Sequence, residues 1–202
     1  MPTVTGNPKD VFRGTGKRER ILRAAVDVFA RTGYFNAKVS EIARAAGVAD
    51  GTIYLYFEGK EDLLITIFRE QSRAFLAGLR EELGRLERPE EKIRAIVRYH
   101  LETMGADRAL AVVLQVELRQ SLKFISLISH EELREYIEAI RQVVEEGVRA
   151  RVFREVPHRQ MIANAIFGML DELMTTWILS EKDYAPKDHA ETIAEFVLRG
   201  LA

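Results

Sequence analysis

The groups best suited to meet a polyanion cluster in residues 38–57, KVSEIARAAGVADGTIYLYF. Asp50, Gly51, Thr52, Tyr54, Leu55 and Tyr56 fall on the outward side of a short helical stretch there. Gly51 and Thr52 keep its leading edge slim, so the stretch can approach a groove closely, and Thr52 can offer a hydroxyl or a methyl to base edges. Tyr54, Tyr56 and Ser40 carry hydroxyls able to bond phosphate oxygens, and Lys17, Arg18 and Lys60 add charge. That chemistry suits recognition of duplex DNA rather than bond making, although helix lengths alone fit a tight helical hairpin with surface tyrosines equally well. Catalysis has poor raw material: there is no cysteine, the four histidines are scattered, and no HExxH or GxSxG motif occurs. Residues 13–17, RGTGK, lack the first glycine and the following hydroxyl of a phosphate loop. No catalytic residue, metal ligand or resident cofactor is assigned.

Two short helices separated by Gly47-Val48-Ala49 must position these groups, a turn of the length that sets helices nearly perpendicular. Ile42, Ala43 and Ala46 can face Val48 and Ile53, and Gly47 suits the left-handed conformation of a helix end. The second helix is too short to persist alone, so it needs support from the first and from Phe57 docked on Val28 and Phe29.

Helical periodicity runs through the whole chain, and there are no alternating apolar runs bounded by hairpin turns. Nine helices are expected. They cover 17–32, 40–46, 50–56 and 60–86, a fifth from Pro89 to Gly105, a sixth after Asp107, 131–149, one starting near Pro157 and one after Pro186. The fold class is therefore all-α. At 202 residues the chain can bury a sizeable core without staples, and 47% hydrophobic with 30% charged residues is a globular composition. The net charge is −1, yet residues 1–60 hold ten basic against six acidic side chains while the remainder is acidic. A basic head on an acidic body suits a polyanion met by the head alone. The start of the chain is polar, and the most apolar window, 161–179, is interrupted by Asn164, Asp171 and Glu172, so a cytoplasmic protein without a membrane span is expected.

Gly33-Tyr34-Phe35, Ile42 through Val48, Gly51 through Phe57, Lys60 and Leu63-Leu64 together resemble the DNA-binding domain of TetR-family repressors. The resemblance implies a two-domain dimer: a flexible arm over 1–16, a helix-turn-helix head over 17–60, and a ligand-binding and dimerisation bundle over 61–202. It implies two recognition helices in successive major grooves of a palindromic operator, Thr52 and Tyr54 near bases, and Ser40, Tyr56 and Lys60 on phosphates. Ala49 departs from the serine cap frequent in the family, and Asp50 is expected to cap instead.

Over its full length the chain is similar to the fatty-acid-degradation repressors of that family, the FadR type, which release operators on binding long-chain acyl-coenzyme A. An acyl tunnel is then expected along Phe75, Leu79, Ile96, Leu101, Met104, Leu114 and Phe167, with Arg98, Arg108, Arg119 and Lys123 as cations for the coenzyme phosphates. Burying ~12–16 methylenes at ~0.8 kcal/mol each supplies a gross ~10 kcal/mol before association costs. The alternative is the same repressor fold sensing another hydrophobic molecule and controlling an efflux or detoxification operon. His100, one turn from Ile96 and Met104, reads as a core group bonded to a backbone carbonyl. The last two helices suit a two-fold seam centred on Ala165, Ile166, Met169, Leu173, Ile193 and Val197.

Overall fold

The structure is a computed structural model and describes residues 16–117 and 130–202. Among them are nine α-helices: α1 (Lys17–Thr32), α2 (Val39–Ala46), α3 (Asp50–Ile53), α4 (Lys60–Gly84), α5 (Pro89–Met104), α6 (Arg108–Gln115), α7 (His130–Arg149), α8 (Arg159–Leu179) and α9 (Ala190–Leu201). A 3-10 turn over Pro186–His189 leads into α9. The described residues contain no strand.

The chain divides into two compact units. The first takes in residues 16–74 with 107–117, the second 75–106 with 130–202. The division differs from a cut at residue 60 in two ways. The first fifteen residues of α4 belong to the head, and so does α6.

The head is built on α1, whose Ile21, Leu22, Ala25, Val28 and Phe29 are buried. Ile42, Ala43 and Ala46 of α2 and Ile53 of α3 join them, with Phe57, Leu63, Leu64 and Ile67 beyond. Val48 and α6 residues Ala109, Leu110 and Leu114 pack against that core, and Val113 is inside it. Gly33 ends α1 at φ +76° and Gly47 ends α2 at φ +66°, where a side chain would be strained. Gly47 is the left-handed C-cap that the motif requires.

In the second unit α5 packs against α9 and α7, and α7 packs against α8. Buried Ile93, Ile96, Val97 and Leu101 of α5 meet a core that includes Phe75, Leu79, Ile140, Val144, Leu170 and Met174. Helix α8 is long and apolar enough to cross a membrane on length and composition. Its inner stripe, Ala163, Ile166, Leu170, Met174 and Trp177, is buried in the core, while Glu172 is exposed and Asp171 half-buried outside that stripe. Trp177 Nε1 donates to the Tyr184 carbonyl at 2.9 Å, fixing the end of the helix.

Candidate nucleic-acid interface

Helix α3 is a single turn held by Ile53, which is fully buried. Backbone N–H groups of Leu55, Tyr56 and Phe57 continue the coil by donating to Thr52 and Ile53 carbonyls at 2.9–3.2 Å. The expected helix over 50–56 is thus α-helical only to Ile53. Beyond it, i to i+3 bonds tighten the chain so that Phe57 can enter the core.

This geometry points outward the side chains expected to meet DNA. Leu55 is 80% exposed and Tyr54 59%; Asp50, Gly51 and Tyr56 are exposed, and Thr52 is half-buried. Three adjacent exposed residues, two of them phenols, project from a turn whose own anchor is fully buried. Asp50 does not cap the helix. Ala49 occupies the cap in extended conformation with no side-chain bond, and Asp50 stands in the first turn. Helix α2 starts at Val39, one residue earlier than expected, leaving half-buried Ser40 inside its first turn. Lys17 is exposed at the start of α1. Behind it, Arg18 pairs with Glu70 and lies over the Phe57 ring, 5.6 Å from its centroid.

Lys60 departs from the phosphate role. Its ammonium donates to three carbonyls, Tyr34 and Phe35 at 2.9 Å and Ala37 at 3.2 Å, and sits 4.7 Å from the Tyr34 ring centroid. An ammonium has three N–H donors, so all are engaged. Lys60 therefore ties the turn between α1 and α2 to the start of α4.

Glu117 holds the same residue, Tyr34, through its N–H, a role sequence reasoning missed. Only 5% exposed, it accepts the Tyr34 N–H at 2.7 Å. Asp107, at the other end of α6, caps the helix through Leu110 N–H at 3.0 Å and pairs with Arg23 of α1. A carboxylate thus fastens each end of α6 to the head. The available signal was an acid three residues beyond the apolar run 109–114, a pattern that equally fits a surface ion pair.

The residues assigned to the acyl tunnel fare unevenly. Phe75, Leu79, Ile96 and Leu101 are buried in the second unit, with Met104 and Phe167 half-buried in the same unit. Leu114 packs against the head core instead, because α6 belongs there. Arg98 is exposed and ion-paired with Glu82, and Arg108 is exposed in the head unit. Arg119 and Lys123 lie outside the described residues. An open cavity of about 560 Å³ is lined by residues including Arg88, Arg94, Phe153, Glu195 and Arg199, and by none of those assigned to the tunnel.

His100 is buried, but its partner is the Tyr136 hydroxyl at 3.0 Å rather than a backbone carbonyl. Of the residues assigned to the seam, Ile166 and Val197 are buried inside their own protomer, whereas Ala165 is exposed and Met169, Leu173 and Ile193 are half-buried. The outer faces of α8 and α9 instead present Met161 at 68% exposure, Leu179 at 74% and Phe196 at 70%.

Comparison with known proteins gives matches along most of the chain. Residues 21–67 match the family described as bacterial regulatory proteins, tetR family, and residues 68–200 match the YsiA-like protein C-terminal region. The chain is 35% identical over 185 residues to the fatty acid metabolism regulator protein of Bacillus subtilis (strain 168), covering 92% of this chain and 95% of that protein. The B. subtilis transcriptional regulator FadR in complex with stearoyl-CoA superposes with a TM-score of 0.83 at 35% identity, covering 91% of this chain and 98% of that one. The fatty acid degradation regulator FadR of Bacillus halodurans gives 0.86 at 38% identity, with coverages of 93% and 97%. With its exposed turn over residues 50–57, its head sewn together by Lys60 and Glu117, and these matches along its length, the chain belongs to the tetR family of bacterial regulatory proteins.

Proposed function

We propose that this protein is a transcriptional repressor of fatty-acid degradation genes, released from its operator when long-chain acyl-coenzyme A binds the second unit. The observation that carries the reading is the exposed set Tyr54, Leu55 and Tyr56, beside half-buried Thr52, on a turn anchored by buried Ile53, in a chain 35% identical to a regulator whose structure holds stearoyl-CoA. The relatives at 35–38% identity favour the fatty-acid reading over an efflux sensor.

The protein acts as a homodimer on a palindromic duplex in the cytoplasm, its two reading turns about 34 Å apart, one turn of DNA. Thr52, Tyr54 and Leu55 meet base edges; Tyr56, Ser40 and Lys17 serve the backbone, and the tie made by Lys60 holds the head in shape. The dimer seam forms on the outer faces of α8 and α9, where Met161, Ala165 and Phe196 replace Ile166 and Val197 as its centre. Phe75, Leu79, Ile96, Leu101, Met104 and Phe167 enclose the acyl chain.

A palindromic duplex from the upstream region of its own gene tests the first half. Binding should weaken steeply with salt, and Tyr54→Ala should cost about tenfold in affinity with an unchanged melting temperature, since the ring is exposed. A Tyr54→Ala protein that binds as tightly as the parent would refute the assignment of this turn as the reader.

A further inference from the structure

The interior of the second unit holds a polar pair that folding alone does not use up. His100 is 2% exposed, and its Nδ1 lies 3.0 Å from the hydroxyl of buried Tyr136. The two rings are stacked at 17°, and Phe75 stands edge-on to both, 5.9 Å from His100 and 5.0 Å from Tyr136. Phe167 closes the other side of Tyr136 at 5.7 Å. The remaining imidazole nitrogen, Nε2, is buried with no hydrogen-bond partner among the described residues. A buried polar group left unpaired costs roughly 1–3 kcal/mol, and native structures keep few of them without a reason.

The proton's place follows from Tyr136. The 3.0 Å contact fits either tautomer, but only with the phenol donating to Nδ1 is its hydrogen paired, and the imidazole proton is then assigned to Nε2. Burial holds the His100 pKa down at about 4, against a smaller upward pull from Asp171, and burial pushes the Tyr136 phenol far above its ordinary range. Both groups are therefore neutral near pH 7. The structure offers one uncharged N–H donor, walled by aromatic rings, with the Asp171 carboxylate acting on both members of the pair.

We infer that the Nε2–H of His100 donates to the thioester carbonyl of the effector, and that this contact makes the second unit selective for acyl thioesters over free fatty acids. The inference rests on the acyl-coenzyme A reading above and deepens it. A thioester carbonyl is neutral and needs one donor, which is what the pair supplies. A free carboxylate would bring a negative charge into the buried site and find no cation in the pair to offset it. The aromatic walls suit the methylenes that follow the carbonyl.

Calorimetric titration with palmitoyl-coenzyme A and with S-hexadecyl-coenzyme A, a thioether of similar length lacking the carbonyl, tests this directly. The parent protein should bind the thioester about tenfold more tightly than the thioether. In His100→Phe, which keeps a ring but has no donor, thioester affinity should fall to that of the thioether while thioether affinity stays put. Tyr136→Phe, which frees Nδ1 to compete for the proton, should narrow the preference without abolishing binding, and it serves if His100→Phe does not fold. Equal binding of the two ligands by the parent, or an equal loss of both in the variant, would overturn the role of His100 while leaving the effector reading intact. If neither coenzyme A ligand binds, the effector reading fails and the contact fails with it.

Discussion

Single side chains here do work that their type alone does not announce. Lys60 begins α4 at a position where a free ammonium would suit a phosphate, yet its three donors are engaged by the carbonyls of Tyr34, Phe35 and Ala37. A phosphate contact and an internal tie predict different losses. Removing a phosphate contact lowers the salt slope of DNA binding by about one, whereas removing a tie leaves the slope and lowers stability. Lys60→Met should keep the slope of log affinity against log salt and destabilise the fold by about 1–2 kcal/mol in urea unfolding. A slope reduced by one with unchanged stability would restore the phosphate role.

His100 gives a second prediction at this scale, in the pH dependence of stability. Burial lowers its pKa to about 4 in the folded protein, while the unfolded chain has the ordinary value near 6.5. Between those values the unfolded state binds more protons, so stability falls as pH falls through that window and is level above it. Moving from pH 7.5 to pH 5 should cost about 2 kcal/mol from this group, and His100→Phe should lack that share of the loss. Parallel unfolding curves of the parent and the variant at the two pH values would settle it. An identical pH response in the two proteins would show that His100 takes up its proton in the folded protein as readily as in the unfolded chain.

At the scale of elements, much of the architecture was legible in the sequence. The ends of α1, α2 and α5 fall where glycine follows a periodic run, at Gly33, Gly47 and Gly105, and α5 starts on Pro89 as its pattern implies. What periodicity could not supply was the use of contacts remote along the chain. The fastening of α6 to the head depends on Asp107 meeting Arg23 and Glu117 meeting Tyr34, pairs 84 and 83 residues apart. The same limit explains the misplaced centre of the seam. Helix α8 is apolar on two opposite faces, and composition does not say which faces inward. Its phase does: Ala163, Ile166, Leu170 and Met174 form the buried stripe, so Met161, Ala165 and Leu179 fall on the other. Met161→Glu should therefore leave the melting temperature of the isolated protomer close to that of the parent but weaken the dimer at least tenfold. Light scattering across a dilution series would reveal a shift toward the 23.1 kDa protomer at higher concentration than for the parent. Unchanged association would place the seam elsewhere.

For the whole molecule, the two compact units give the proposed regulation its form. The turn proposed to read DNA, its core and both fastenings of α6 lie in one unit, and the buried His100 and Tyr136 pair with most of the proposed acyl lining lies in the other. The chain passes between them repeatedly, within α4 and on either side of α6. Linkage then requires that whatever the effector does to DNA affinity, DNA does equally to effector affinity. A hundredfold loss of operator affinity needs about 2.7 kcal/mol of differential binding, well within the gross ~10 kcal/mol that a buried acyl chain supplies. The most direct measurement is fluorescence anisotropy of a labelled operator duplex held by the protein while palmitoyl-coenzyme A is added. The anisotropy should fall to that of free duplex as the effector saturates, and free coenzyme A should have no effect. A complex that stays intact at saturating palmitoyl-coenzyme A, with binding of that ligand shown separately, would contradict regulation by acyl-coenzyme A.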